Sequence, residues 1–114
     1  MRYMLMIHLN DDADSQLEND PALFSRVMGE HDKLQAELRA SGEFVETHEL
    51  LPTDSKIVRT RANEVLVTDG PFTESKEWIA GYYVVDCASV ERAAEIAGRL
   101  AESELSLVEV RTIR

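Results

Sequence analysis

Two rhythms of apolar and polar positions alternate along the chain. Residues 2–9 (RYMLMIHL) form an apolar run of strand-compatible side chains, ended by the Asn/Asp cluster at 10–14, and predict a strand. Residues 10–20 read as a polar loop. Asp20 followed by Pro21 marks a helix start, because an Asx side chain caps the first turn and Pro lacks only an N–H that the first turn leaves unused. The helix is expected to reach Ala40 and to stop at Ser41-Gly42, with Phe24, Val27, His31, Leu34 and Leu38 as its buried stripe. Residues 43–51 predict a strand ended by Pro52, and 56–60 and 64–68 predict two short strands around a turn at Arg61–Asn63. A long strand over 78–86, a helix capped by Ser89 and a last strand over 106–113 complete the order. Val90, Ala93, Ala94, Ala97 and Leu100 share one face of that second helix. The β-α-β…β-α-β succession is that of a ferredoxin-like split β-α-β unit, an α+β fold with both helices on one face of the sheet.

The other face is informative. In the first strand Tyr3, Leu5, Ile7 and Leu9 point one way and Met4, Met6 and His8 the other. In strand 78–86, Ile79, Tyr83 and Val85 oppose Trp78, Tyr82 and Val84. Both sets are largely apolar, whereas an antiparallel sheet with one wet face alternates cleanly. Two helices cover one face only, so a second copy of the sheet is the simplest cover for the other, and a symmetric homodimer is expected.

Composition narrows the function classes. The 114 residues suit one domain with a single core, and 44% hydrophobic with 30% charged residues is the balance of a soluble globular chain. A net charge of −10 repels phosphate backbones, and no basic patch offsets it, so no nucleic-acid partner is expected. The single Cys87 has no internal partner, which fits a reducing cytoplasm. The apolar start is too short for a signal peptide and no stretch approaches a membrane span, so no membrane partner is expected either.

His31 lies on the apolar stripe of the first helix, so it faces the sheet. It is either a core histidine with a satisfied hydrogen bond or a general acid or base in a cleft, held by a carboxylate. Asp69, in LVTDGPFTES, is the candidate carboxylate; its structural alternative is an Asx turn. Pro71 stiffens the corner and so fixes Phe72, which suits a pocket wall as well as plain packing. Lys76 is a candidate anion-binding group or a solvated loop charge between Glu74 and Glu77. The three histidines lie on different elements without metal-ligand spacing and Cys87 has no CxxC partner, so no metal is expected. No Gly-rich phosphate loop, nucleophile elbow or aromatic RNA-binding strand motif is present.

VTDGPFTESKEWIAGYYVVD closely resembles the signature of the YCII-related family, in its DGPF subgroup. MRYMLMIH, EHDKLQAEL with His31, and VEVRTI are similar too, so the resemblance spans nearly the whole chain and makes residues 1–114 one YCII-related domain. It implies a dimeric α+β barrel, a pocket between the sheet and the first helix, and a His–Asp site whose histidine maps to His31. It further implies no settled reaction, with members that look like accessories to sigma-factor regulation. The chain departs from the family pattern in two places. The broader family carries an Asp-Pro after the second helix where this chain has LAESELSL, and the subgroup tends to carry a Pro where this chain has Thr112.

Two functions are therefore expected to compete. One is a small cofactor-independent enzyme in which His31 accepts a proton and Asp69 orients it. There Lys76 would bind an anionic group of a small molecule, with Phe72 and Tyr82 as apolar walls. The other is a non-catalytic ligand-binding or regulatory module.

Overall fold

The computed structural model describes residues 1–72 and 76–114. Strand β1 (Arg2–Asn10) runs directly into helix α1 (Asp11–Asn19), where the sequence predicts a polar loop. The acidic cluster is a helix start. The Asn10 side chain accepts from Ala13 N at 2.8 Å, and Asp11, Asp12 and Asp14 sit in the first turn, where carboxylates complement the helix dipole. Helix α2 (Pro21–Ser41) begins as expected, with Asp20 accepting from Leu23 N at 3.1 Å. It ends at Gly42, whose φ of 78° is the left-handed cap conformation that glycine adopts without a Cβ clash.

The remaining elements are β2 (Phe44–Glu49), β3 (Lys56–Arg61), β4 (Glu64–Asp69), β5 (Glu77–Asp86), α3 (Val90–Gly98), the one-turn helix α4 (Glu102–Leu105) and β6 (Leu107–Ile113). The main sheet has the order β2-β5-β1-β6, antiparallel throughout, which is the ferredoxin-like arrangement. Among the described residues, strands β3 and β4 pair only with each other.

The core lies between the sheet and the helices. Tyr3, Leu5 and Ile7 of β1 and Tyr83 and Val85 of β5 meet Leu34 and Leu38 of α2 and Ala93, Ile96, Ala97 and Leu100 around α3. Three expected core positions differ, and one of them, Val90, is exposed in the first turn of α3. Ala94 is exposed and Ile96 takes the inward position, one step round the helix, so that the larger side chain fills the core. Phe24 is half exposed, because its turn of α2 overhangs a cavity instead of the packed sheet. The pairing of β1 with β5 is interrupted by a bulge: Ile7 faces Gly81, but His8 faces Ile79. The extra residue, Ala80, reverses the alternation. Ile79 therefore shares the second face with His8, and Trp78 shares the helix side with Leu9, opposite to the expected assignment.

The β3–β4 hairpin stands apart as an arm. Its two-residue turn places Ala62 and Asn63 at φ of 48° and 65°, the positive values that a tight hairpin turn demands. Its base closes where Gly70 N donates to Ser55 O at 2.7 Å; a Cβ on Gly70 would come within 2.5 Å of Ser55 Oγ. The radius of gyration, 16.0 Å, exceeds the about 13 Å of a compact chain of this length, as a projecting arm requires.

Candidate functional site

A cavity of about 300 Å³ opens between α2 and the sheet, walled by apolar groups that include Leu9, Leu17, Phe24, Val27 and Met28. Leu17 comes from α1, one turn beyond the buried Ala13, and that apolar pair is why α1 folds back along the sheet. His31 reaches the cavity from the middle of α2, Tyr83 from the centre of β5, and Glu102 from α4.

These three side chains form one chain of hydrogen bonds. His31 Nε2 lies 2.6 Å from Glu102 Oε2, and His31 Nδ1 lies 2.5 Å from the Tyr83 hydroxyl, with the two rings nearly parallel at 10°. The Gln35 amide donates to the Tyr83 oxygen at 3.4 Å. With that oxygen accepting from Gln35, the Tyr83 O–H is free to donate to Nδ1, and the Nε2–H then donates to Glu102. Neither imidazole nitrogen is left free. The group at the end of the chain is the phenol.

Burial pushes the Tyr83 pKa up from its ordinary value, the Gln35 hydrogen bond opposes this, and the carboxylates of Glu102 and Asp32 add to the rise. The phenol thus keeps its proton at neutral pH. Glu102 is 7% exposed, the one charged residue buried to that degree among those described, and its Oε1 has no hydrogen-bond partner.

The other expected site residues lie elsewhere. Asp69 ends β4 on the arm, 86% of its side chain exposed, and pairs with Lys56 at 2.5 Å. The carboxylate against His31 is Glu102 instead. Phe72 is half exposed on the arm, with the Arg59 guanidinium 6.0 Å from its ring centre. Tyr82 faces the opposite side of the sheet, its hydroxyl donating to Glu46 at 3.4 Å, because adjacent strand residues point to opposite faces. Lys76 is exposed just before β5 and does not line the cavity. The Glu74 and Ser75 part of the DGPF loop lies outside the described residues. Sequence reasoning missed Glu102, although LAESELSL places an acidic side chain in the segment where the family pattern has one.

Among the described residues, no group of three or more His, Cys, Asp or Glu is arranged to hold a metal ion, and no helix is long and apolar enough to cross a membrane. The model of the YCII-related domain matches residues 1–114. The chain belongs to the YCII-related family. It is also 35% identical over 82 residues to an uncharacterised protein of Rhizobium meliloti, covering 71% of this chain and 66% of that protein, just under two thirds of the relative's length. Membership of the YCII-related family agrees with the α+β, ferredoxin-like sheet described above.

Proposed function

We propose that the cavity is an acid–base site acting on a small molecule without a cofactor, and that Tyr83 is the residue that exchanges the proton. What carries the reading is the buried chain Glu102–His31–Tyr83, which ends at the cavity. Carboxylate, imidazole and hydroxyl stand in the order of orienting group, base and reacting group that proton-transfer sites share. As substrate gives a proton to the Tyr83 oxygen, the phenol's own proton passes to His31 Nδ1. The imidazolium so formed is held by the Glu102 carboxylate. In the reverse direction the same protons return and Tyr83 acts as the acid. General acid–base catalysis of this kind contributes typically about 10²–10⁴-fold. His31 keeps the role of base, one step removed from substrate, and Glu102 takes the orienting role expected of Asp69.

The test begins with mass spectrometry of small molecules released from the purified protein. NMR in deuterated water then follows exchange of the ligand's protons at carbon. Catalysed exchange is expected with the wild type and its loss with Tyr83→Phe and with His31→Gln. A retained ligand that exchanges no proton, equally in all three, would sink the reading.

A second reading, the binding module, is favoured by the arm, where Val58, Val65 and Val67 form an exposed apolar face. Such a face is a docking surface in want of a partner. In either reading the protein works as a cytoplasmic homodimer. Supporting this, helices α2 and α3 pack on one side of the sheet, and the other side carries Met4 and Tyr82, partly exposed, beside Met6 and Val84, which are buried within the chain.

A further inference from the structure

We infer that the cavity takes a cationic ligand, an organic amine or ammonium compound with an apolar body. The inference rests on the cavity being a ligand site, but not on the proton relay.

Apart from the imidazoles of His31 and His48, the charge-bearing side chains that line the cavity among the described residues are carboxylates. Asp32, one residue beyond His31 on α2, and Glu49, at the end of β2, line it from opposite walls, and Glu102 lines it as well. Among the described residues, no lysine or arginine lines it. Elsewhere on the molecule carboxylates find cations: Glu43 holds Arg92, Glu37 holds Arg99, Glu109 holds Arg111. Asp32 and Glu49 make no ion pair or side-chain hydrogen bond among the described residues. A second, independent observation points the same way. Glu102 is a buried carboxylate bordering the cavity, and its Oε1 is unpartnered. A buried carboxylate without its full set of donors raises the local negative potential, which favours a positive ligand and disfavours an anion.

The apolar walls define the rest of the ligand. Leu9, Leu17, Val27 and Met28 offer hydrocarbon contact, and Phe24 stands half exposed at the opening, where its ring face can receive a cation. A volume of about 300 Å³ is at the small end of ligand pockets, so the ligand is small. The anion-binding role expected for Lys76 has no counterpart here.

Three probes of similar shape and different charge decide the matter: phenethylamine (an ammonium at pH 7), 2-phenylethanol and 3-phenylpropionate. Titration calorimetry, with NMR shift mapping on the cavity methyl groups, measures each against the wild-type protein. The ammonium is expected to bind about tenfold tighter than the alcohol and the propionate weakest, with the preference shrinking as sodium chloride is raised. Asp32→Asn together with Glu49→Gln should bring the ammonium down to the alcohol's affinity while leaving alcohol affinity and melting temperature unchanged, since both side chains are at the surface. Equal binding of ammonium and alcohol, or tighter binding of the propionate, overturns the inference and leaves the proton relay standing. Absence of binding by all three overturns it as well. The relay is judged separately, by the effect of Tyr83→Phe on proton exchange.

Discussion

The body of this protein and its β3–β4 arm are made of similar strand residues under opposite conditions. In the body, Leu5, Tyr83 and Val85 are at most 1% exposed, locked between two central strands and two helices. On the arm, Val58, Val65 and Val67 are 61%, 62% and 58% exposed on a two-stranded ribbon. A lone hairpin is marginally stable in water, so the arm's order depends on its turn, its closed base and whatever covers its valines. The difference teaches where each kind of substitution registers: the body answers in stability and chemistry, the arm in association.

The sharpest way to break that contrast is to truncate one side chain in each region. Leu5→Ala should cost about 2–5 kcal/mol in urea unfolding, as for other fully buried leucines, whereas Val65→Thr should stay within about 0.5 kcal/mol. Comparable losses at the two sites would mean that the arm is packed against something in the free protein.

Next in size is the buried network. Tyr83→Phe keeps the ring and removes one hydroxyl, leaving His31 Nδ1 and the Gln35 amide without that partner. A loss of about 1–3 kcal/mol is expected, together with loss of proton exchange on any retained ligand. Asp69→Asn on the arm should change neither. An exchange defect in Asp69→Asn would restore the DGPF corner to the site.

Association is read by light scattering during gel filtration. The wild-type chain should run at about twice its 12.9 kDa mass. Val58→Lys with Val67→Lys should lower the mass if the partner covers the arm, and leave it unchanged if the dimer uses the sheet face alone. A monomeric wild type would end both versions.

Ion pairs give a smaller contrast. Arg92 grips Glu43 through two hydrogen bonds of 2.9 and 2.8 Å, which holds the Glu43 carboxyl below its ordinary pKa despite the opposing effect of burial. A carboxyl depressed on folding stabilises the protein above its unfolded value of ~4.3, and that contribution is lost as pH falls through the folded value. Urea midpoints taken from pH 6 downwards should therefore fall less steeply in Arg92→Gln than in the wild type. Lys56→Gln, which breaks the exposed pair on the arm, should leave the slope unchanged. The smallest effect is expected at the arm's tip. Ala62→Gly relieves a positive φ and should slow hydrogen exchange in β3 and β4, by the equivalent of at most about 1 kcal/mol, without moving the melting temperature.

The body was far more legible than the site. The Asp20–Pro21 start, the Gly42 stop and the apolar run of β1 are local signals, and each led to the element observed. His31 could be aimed at the sheet because helical periodicity extends over several turns. Glu102 could not be found that way, since a one-turn helix has no periodicity to read, and its partner lies 71 residues away. Asp69 was attractive because its corner is conspicuous in the sequence. Its conspicuous neighbour Gly70 answers to the close approach of Ser55. Helix α1 was missed because a run of aspartates looks like solvent-facing loop until the Asn10 cap and the Ala13–Leu17 spacing are considered together.

The bulge at Ala80 gives β5 something like a reading frame. Upstream of it, odd and even positions have exchanged sides relative to the rest of the strand, so the bulge puts Trp78 on the helix side and Ile79 on the outer side. A one-residue deletion in an exposed loop is commonly absorbed. Deleting Ala80 would close the bulge and leave Trp78 on the helix side and Ile79 outside, whereas a straight strand that kept Ala80 in the pairing would turn Ile79 inward and Trp78 out. The deletion's cost is that the Leu50 N–H loses the Ala80 carbonyl that now accepts it. The parity of β5 is thus set by one residue that carries only a methyl group and itself lines the cavity.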